Sequence, residues 1–176
     1  ALCVGSWDHL SSKSLLRAIP DLVTVWNDTQ KQEAMQLHGV PAERIAVTGA
    51  QCYDLWFGRQ PSRSREEFCE RAGLDPTRPF VLYVCSSLFK NTANEARFVE
   101  RWIQHARGSA DQTLREAGLL VRPHPRRLDE WQQVDLTEFK NVALFGSHPV
   151  DPAAKDDYFD SLHYASAVVG LNTSAF

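Results

Sequence analysis

The chain has 176 residues, 43% of them hydrophobic and 23% charged, with a formal net charge of -3. That is enough apolar surface to build a core, which excludes a disordered tail, and the length holds one sizeable α/β domain or one domain plus part of another. The charge balance argues against a generally basic nucleic-acid binder, and no stretch approaches the ~20 apolar residues needed to span a bilayer.

The chain opens on an apolar strand, Leu2-Val4, without an initiator Met, and closes at Phe176 just past the start of a helix. It therefore reads as an interior piece of a longer protein. Further strands are predicted at Leu22-Trp26, Ile45-Val47, Phe80-Cys85, Leu119-Arg122, Val142-Phe145 and Ala167-Leu171. Several are continuous apolar runs, which a parallel strand covered on both faces requires. Between them, Thr29 to His38 follows Asp28 as N-cap, and Ser64 to Ala72 carries the capping box Ser64-x-x-Glu67 and ends at Gly73. Asn94 to Arg107 puts Ala96, Val99, Ile103 and Ala106 on one stripe. Arg127 to Val134 is a weaker helix. Asp156 to Ser166 is a helix whose first turn holds Asp156 and Asp157, a favourable place for negative charge. Repeated β-then-α units predict an α/β fold with parallel sheets flanked by helices and right-handed crossovers. The polar segment around Pro61 divides the chain into residues 1–58, a linker at 59–64, and residues 65–176.

Ligands of such sheets bind beyond the carboxyl ends of the strands, so the loops there carry the candidates. Ser86 and Ser87 follow Phe80-Cys85. Arg122-Pro123-His124-Pro125 is the sharpest signal: two prolines fix the backbone around one imidazole, and Arg126 and Arg127 add positive charge. The competing reading is a structural turn. Asn172, Thr173 and Ser174 end the last strand and would open a helix, a place suited to phosphate or to plain N-capping. No GxGxxG or P-loop motif occurs. Earlier in the chain, Asp8 and Lys13 follow the first strand and Gln51 follows the third. Adjacent Asp8 and His9 diverge and do not make a catalytic pair. The cysteines Cys3, Cys52, Cys69 and Cys85 lack metal-site spacing and are expected as buried free thiols, in keeping with a reducing cytoplasm.

In this order the stretches Ser6-Trp7-Asp8…Ser12-Lys13, "PDLVTVWND" from Pro20 and "GVPAERIAVTGAQCYDLW" resemble the link region of GT-B-fold transferases. Cys85-Ser86-Ser87, Arg122-Pro123-His124-Pro125 and Tyr158-Phe159-Asp160…Val169-Gly170-Leu171-Asn172-Thr173-Ser174 resemble their nucleotide-binding half. The named relatives are bacterial surface-polysaccharide glycosyltransferases and CDP-glycerol glycerophosphotransferases. The latter usually show an acidic residue and Tyr-Ser-Ser where this chain has Gly-Leu-Asn-Thr-Ser, so the donor stays open.

The resemblance implies two Rossmann-like units. The first is incomplete and bears Asp8, Lys13 and Gln51 on the cleft or acceptor side. The second is truncated and binds the donor. It implies that His124 takes the place of the family's HP histidine near the donor phosphates, with Ser86, Ser87, Arg122, Arg126, Asn172, Thr173 and Ser174 as phosphate-binding residues. No cofactor and no metal are implied. The expected activity moves a sugar or polyol phosphate from a nucleotide-diphosphate-linked donor to a saccharide or lipid-linked acceptor, in the cytoplasm and compatible with peripheral membrane association. A UDP-sugar 2-epimerase and a non-catalytic nucleotide-binding module are the alternatives.

Overall fold

The computed structural model describes residues 1–87 and 94–171, and its contacts divide the chain into two compact units, Ala1–Gln60 and Pro61–Phe176. The first holds three parallel strands in the order β1-β2-β3: β1 (Leu2–Cys3), β2 (Val23–Val25) and β3 (Ile45–Val47). Helix α1 (Asp28–His38) covers them, and Val4, Leu10, Val23, Val25, Ala34, Val40 and Ile45 form the core. The cap of α1 is Asn27, not the expected Asp28. Asn27 has extended backbone and its side chain accepts from the Gln30 N–H, which leaves Asp28 in the first turn where its charge suits the dipole. Gln30 is buried, donating to the carbonyls of Ser6 and Trp7 and accepting from Trp26 N–H, so one side chain pins the loop after β1 to the end of β2.

In the second unit four parallel strands lie in the order β6-β5-β4-β7: β4 (Phe80–Val84), β5 (Gly118–Arg122), β6 (Val142–Leu144) and β7 (Ala167–Gly170). Alternation along β4 and β5 builds two cores. Phe80, Leu82, Val84 and Leu120 pack against Phe68, Cys69 and Ala72 of α2 (Arg65–Ala72). Tyr83, Cys85, Leu119 and Val121 pack against Ala96, Val99, Ile103 and Ala106 of α3 (Glu95–Arg107). Both faces of the central strands are therefore apolar, and this is why they read as unbroken runs. A short helix, α4 (Gln112–Glu116), precedes β5 and was not expected from the sequence. The weak helix after His124 is a kinked 3-10 helix, Pro125–Gln133.

The last helix, α5 (Pro152–Tyr164), starts four residues before the expected Asp156, with Asp151 as N-cap and Pro152 in the first turn. Asp157 and Asp160 are thereby mid-helix and buried rather than a solvated first turn. Asp160 accepts from Ser62 N–H (2.9 Å) and Ser62 Oγ (2.7 Å), and Asp157 pairs with Arg63 (3.1 Å) and Arg71 (3.2 Å). The expected linker 59–64 spans the division between the units, and its Ser62 and Arg63 are bonded into the second. The thiols also depart from expectation. Cys69 and Cys85 are buried, whereas Cys3 and Cys52 are exposed. Val4 turns into the core, so strand alternation places Cys3 on the other face. Among the described residues no helix is long and apolar enough to cross a membrane.

Asp160 is fully buried, so Asp160→Ala strands the N–H and hydroxyl of Ser62 and removes a carboxylate beside Arg63. The expected loss is about 2–3 kcal/mol, read as a lower urea midpoint for the second unit. An unchanged midpoint would show that the staple contributes nothing net.

Candidate functional site

The carboxyl ends of β4, β5 and β6 open into a cavity of about 630 Å³ within the second unit. β4 contributes Cys85 and Ser87, the end of β5 contributes Arg122, His124 and Arg126, the loop after β6 contributes Ser147 and His148, and α5 contributes Tyr158. Parallel strands bring these loops to one edge because every strand points the same way.

Arg122 is the last residue of β5 and is 5% exposed. Its Nη2 donates to the Ser147 carbonyl at 2.9 Å, and its guanidinium lies 4.8 Å from the centre of the Tyr158 ring. Nη1 is buried and has no hydrogen-bond partner among the described residues. Gly146 has φ +108°, a left-handed conformation, and a Cβ there would collide with Nη1. Glycine suits the position on two counts: the turn uses its freedom of φ, and any Cβ would displace the guanidinium. Burial lowers the proton affinity of Arg122, while Tyr158 and Asp157 oppose that shift. An arginine nevertheless stays charged, so the cavity has a positive wall.

His124 is half-buried between Pro123 and Pro125 and caps the 3-10 helix: its Nδ1 accepts from Arg126 N–H at 3.2 Å. That acceptor role puts the proton of the neutral ring on Nε2, leaving one N–H donor for a ligand. Burial first, then Arg126, His148 and Arg127, hold its pKa below the ordinary 6.5. Unliganded His124 is therefore neutral at neutral pH, a dipolar donor rather than the cation it could be beside phosphate. Its stabilising contribution is complete above 6.5 and is lost as pH falls through the lower folded value.

Of the residues expected to bind phosphate, Ser87, Arg122, His124 and Arg126 meet at this cavity. Ser86 turns away. It is fully buried, and its N–H (3.0 and 3.1 Å) and hydroxyl (3.2 Å) donate to Glu95, the first residue of α3, which also accepts from Tyr83 OH. Ser86 anchors the loop and leaves Ser87 to the cavity. Asn172, Thr173 and Ser174 lie outside the described residues. Asp8, Lys13 and Gln51 belong to the first unit. There Asp8 accepts from Ser6 Oγ (2.6 Å) and pairs with Lys13 (2.9 Å), which hold its carboxyl below the usual range, and Gln51 is exposed at the start of a 3-10 helix. His9 accepts from Gly5 N–H instead of meeting Asp8.

Sequence reasoning missed Glu95, and it placed His148 in a strand-end loop and Tyr158 in a resembling stretch without assigning either to the site. The signal for His148 was present, since both Arg122-Pro123-His124-Pro125 and Gly146-Ser147-His148-Pro149 place a His-Pro pair after neighbouring strands. The place of Tyr158 at the cavity depends on its contact with Arg122 of β5, which no local pattern signals. Cys85 lines the cavity, but burial pushes its thiol far up and makes it a poor nucleophile.

No protein-family model and no curated protein matches the chain. Among solved structures it is similar to the wall teichoic acid polymerase TagF, with a TM-score of 0.52 and 12% sequence identity, over 88% of this chain and 36% of that one. At that identity the likeness is one of fold: parallel sheets flanked by helices, as Rossmann-like units have. The chain spans about a third of the TagF chain's length.

Burial pushes Glu95 up, against the bonds it accepts from Ser86 and Tyr83. A raised folded pKa contributes stability below 4.5 that is lost as pH rises through the folded value. Glu95→Gln cannot ionise, so its melting temperature should gain on that of the unmodified chain as pH rises from 4.5 towards neutrality. Melting curves showing the reverse trend would mean that the accepted bonds outweigh burial.

Proposed function

We propose that this chain supplies the donor-binding half of a GT-B-type, metal-independent transferase. The enzyme would move a sugar or polyol phosphate from a nucleotide-activated donor to a surface-polysaccharide or related acceptor. The observation that carries the reading is the cavity at the strand ends, which Ser87, Arg122, His124 and Arg126 line together, with no carboxylate among its described lining residues. Such a site suits a diphosphate. When the bond to the transferred group breaks, negative charge grows on the leaving phosphate, and donors already in place strengthen as it grows. The fold similarity to a teichoic acid polymerase is in keeping with this chemistry. A UDP-sugar 2-epimerase is the second reading; it needs carboxylates for acid–base work at the reacting carbon, and the described lining of this cavity favours the transferase. In this reading the first unit, with Asp8, Lys13 and Gln51, belongs to the acceptor side, and the two units are the two Rossmann-like halves.

The roles of His124 can be separated. Asn retains a side-chain oxygen that can cap Arg126 N–H but has no group at the place of Nε2. Ala loses the cap too, at about 1 kcal/mol. His124→Asn is therefore expected to leave the melting temperature near its original value and to cut transfer by about 100-fold. The measurement is turnover of nucleotide-linked donors by the full-length protein, beside thermal melting of the same preparation. Undiminished turnover by the Asn variant would reduce the loop to a structural turn.

A further inference from the structure

β5 and β6 are hydrogen-bonded parallel neighbours, with Val121 opposite Leu144. Their following loops therefore leave the sheet about 4.8 Å apart. Each loop presents a histidine followed by a proline, His124-Pro125 and His148-Pro149. The second loop is tied to the first strand by Arg122, which donates to the Ser147 carbonyl, and it is turned by the bond from Val150 N–H to the His148 carbonyl at 2.8 Å. Both imidazoles line the same cavity.

They arrive in different states. His124 has committed Nδ1 to Arg126 N–H, whereas the exposed ring of His148 makes no hydrogen bond among the described residues. The groups facing the pair are Arg122 from β5, Arg126 and Arg127 from the 3-10 helix, Tyr158 from α5 and Cys85 from the end of β4. The acids that act on these groups have partners of their own: Asp157 pairs with Arg63 and Arg71, Glu130 with Arg127, and Glu95 accepts from Ser86 and Tyr83. Two imidazoles beside that much positive charge resist protonation together, and the neighbourhood of Arg126, His148 and Arg127 already disfavours protonation of His124. An anion seated between them removes the repulsion.

We propose that His148 is the second arm of the anion site: His148 and His124 clamp one phosphate group of the ligand from neighbouring strand ends, and the pair takes up a proton from solvent as the anion seats. The identity of that group as a donor phosphate rests on the transferase reading. The clamp itself rests on the shared cavity and the paired loops. His148 would be a binding and positioning residue that makes affinity depend on pH.

The test uses the full chain and inorganic pyrophosphate, titrated calorimetrically in buffers of different ionisation enthalpy so that proton uptake is measured directly. The expected result is affinity that rises as pH falls towards 6.5, with net proton uptake. His148→Ala should weaken binding about tenfold at an unchanged melting temperature. His148→Gln should regain part of that affinity through its amide N–H but not the proton uptake. By NMR, either variant should titrate His124 at higher pH than the original chain does. If both variants bind pyrophosphate with unaltered affinity and proton uptake while His124→Asn binds poorly, the clamp is overturned and the transferase reading stands. If the original chain does not bind pyrophosphate, the anion site is wrong and both fall.

Discussion

The second unit depends at its functional edge on one buried guanidinium. Arg122 joins three elements: it ends β5, holds the loop after β6 through Ser147, and lies over Tyr158 of α5. An ionised group so deeply buried costs several kcal/mol unless it is compensated. Here the compensation is a carbonyl, an aromatic face and the more distant carboxylate of Asp157, with one nitrogen unmatched among the described residues. The arrangement is tolerated because Gly146 has no Cβ to meet it. Removing Arg122 would therefore loosen the position of His148 as well as the charge of the cavity wall.

Much of the fold was legible because its physics is local or periodic. All seven strands stand where apolar runs placed them, since strands covered on both faces cannot hide their composition. The α2 capping box was readable to the residue, because Ser64 and Glu67 satisfy each other's backbone N–H without help from elsewhere. The start of α5 was misread because Asp156 and Asp157 look like a first turn. Their setting is decided instead by Arg63 and Arg71, far away in sequence, while the local cap at Asp151-Pro152 was passed over. The site shows the same division. That loops bearing Ser87, Arg122, His124 and Arg126 would meet followed from strand direction alone. That Ser86 would turn to Glu95 did not, because it depends on where α3 begins and which face of it is dry.

Two ionisable groups, one buried and one half-buried, frame the edge with opposite demands. Glu95 lies under the loop after β4 and holds its proton more tightly than in water, while His124 at the end of β5 holds its own less tightly. Acidification favours the folded contribution of the first and erodes that of the second. The loop carrying Ser87 is thus anchored by a carboxyl whose contribution fades as pH rises through its raised folded value. The loop carrying His124 is anchored by a neutral imidazole, and a bound anion would turn that imidazole into a cation.

The placement of the acids completes the electrostatic argument. Asp157 precedes Tyr158 on α5, so an unpaired carboxylate could have lain beside the Arg122 wall and cancelled its field. Instead Asp157 is taken by Arg63 and Arg71, and Asp160, one turn on, by Ser62 and Arg63. The same ion pairs that hold residues 62 and 63 to the second unit therefore also balance the carboxylates of Asp157 and Asp160. What remains facing the cavity is Tyr158, which stacks on a cation without neutralising it. Stability at the staple and positive potential at the cavity are two consequences of one choice of partners. A change that freed Asp157 would alter the second as surely as the first.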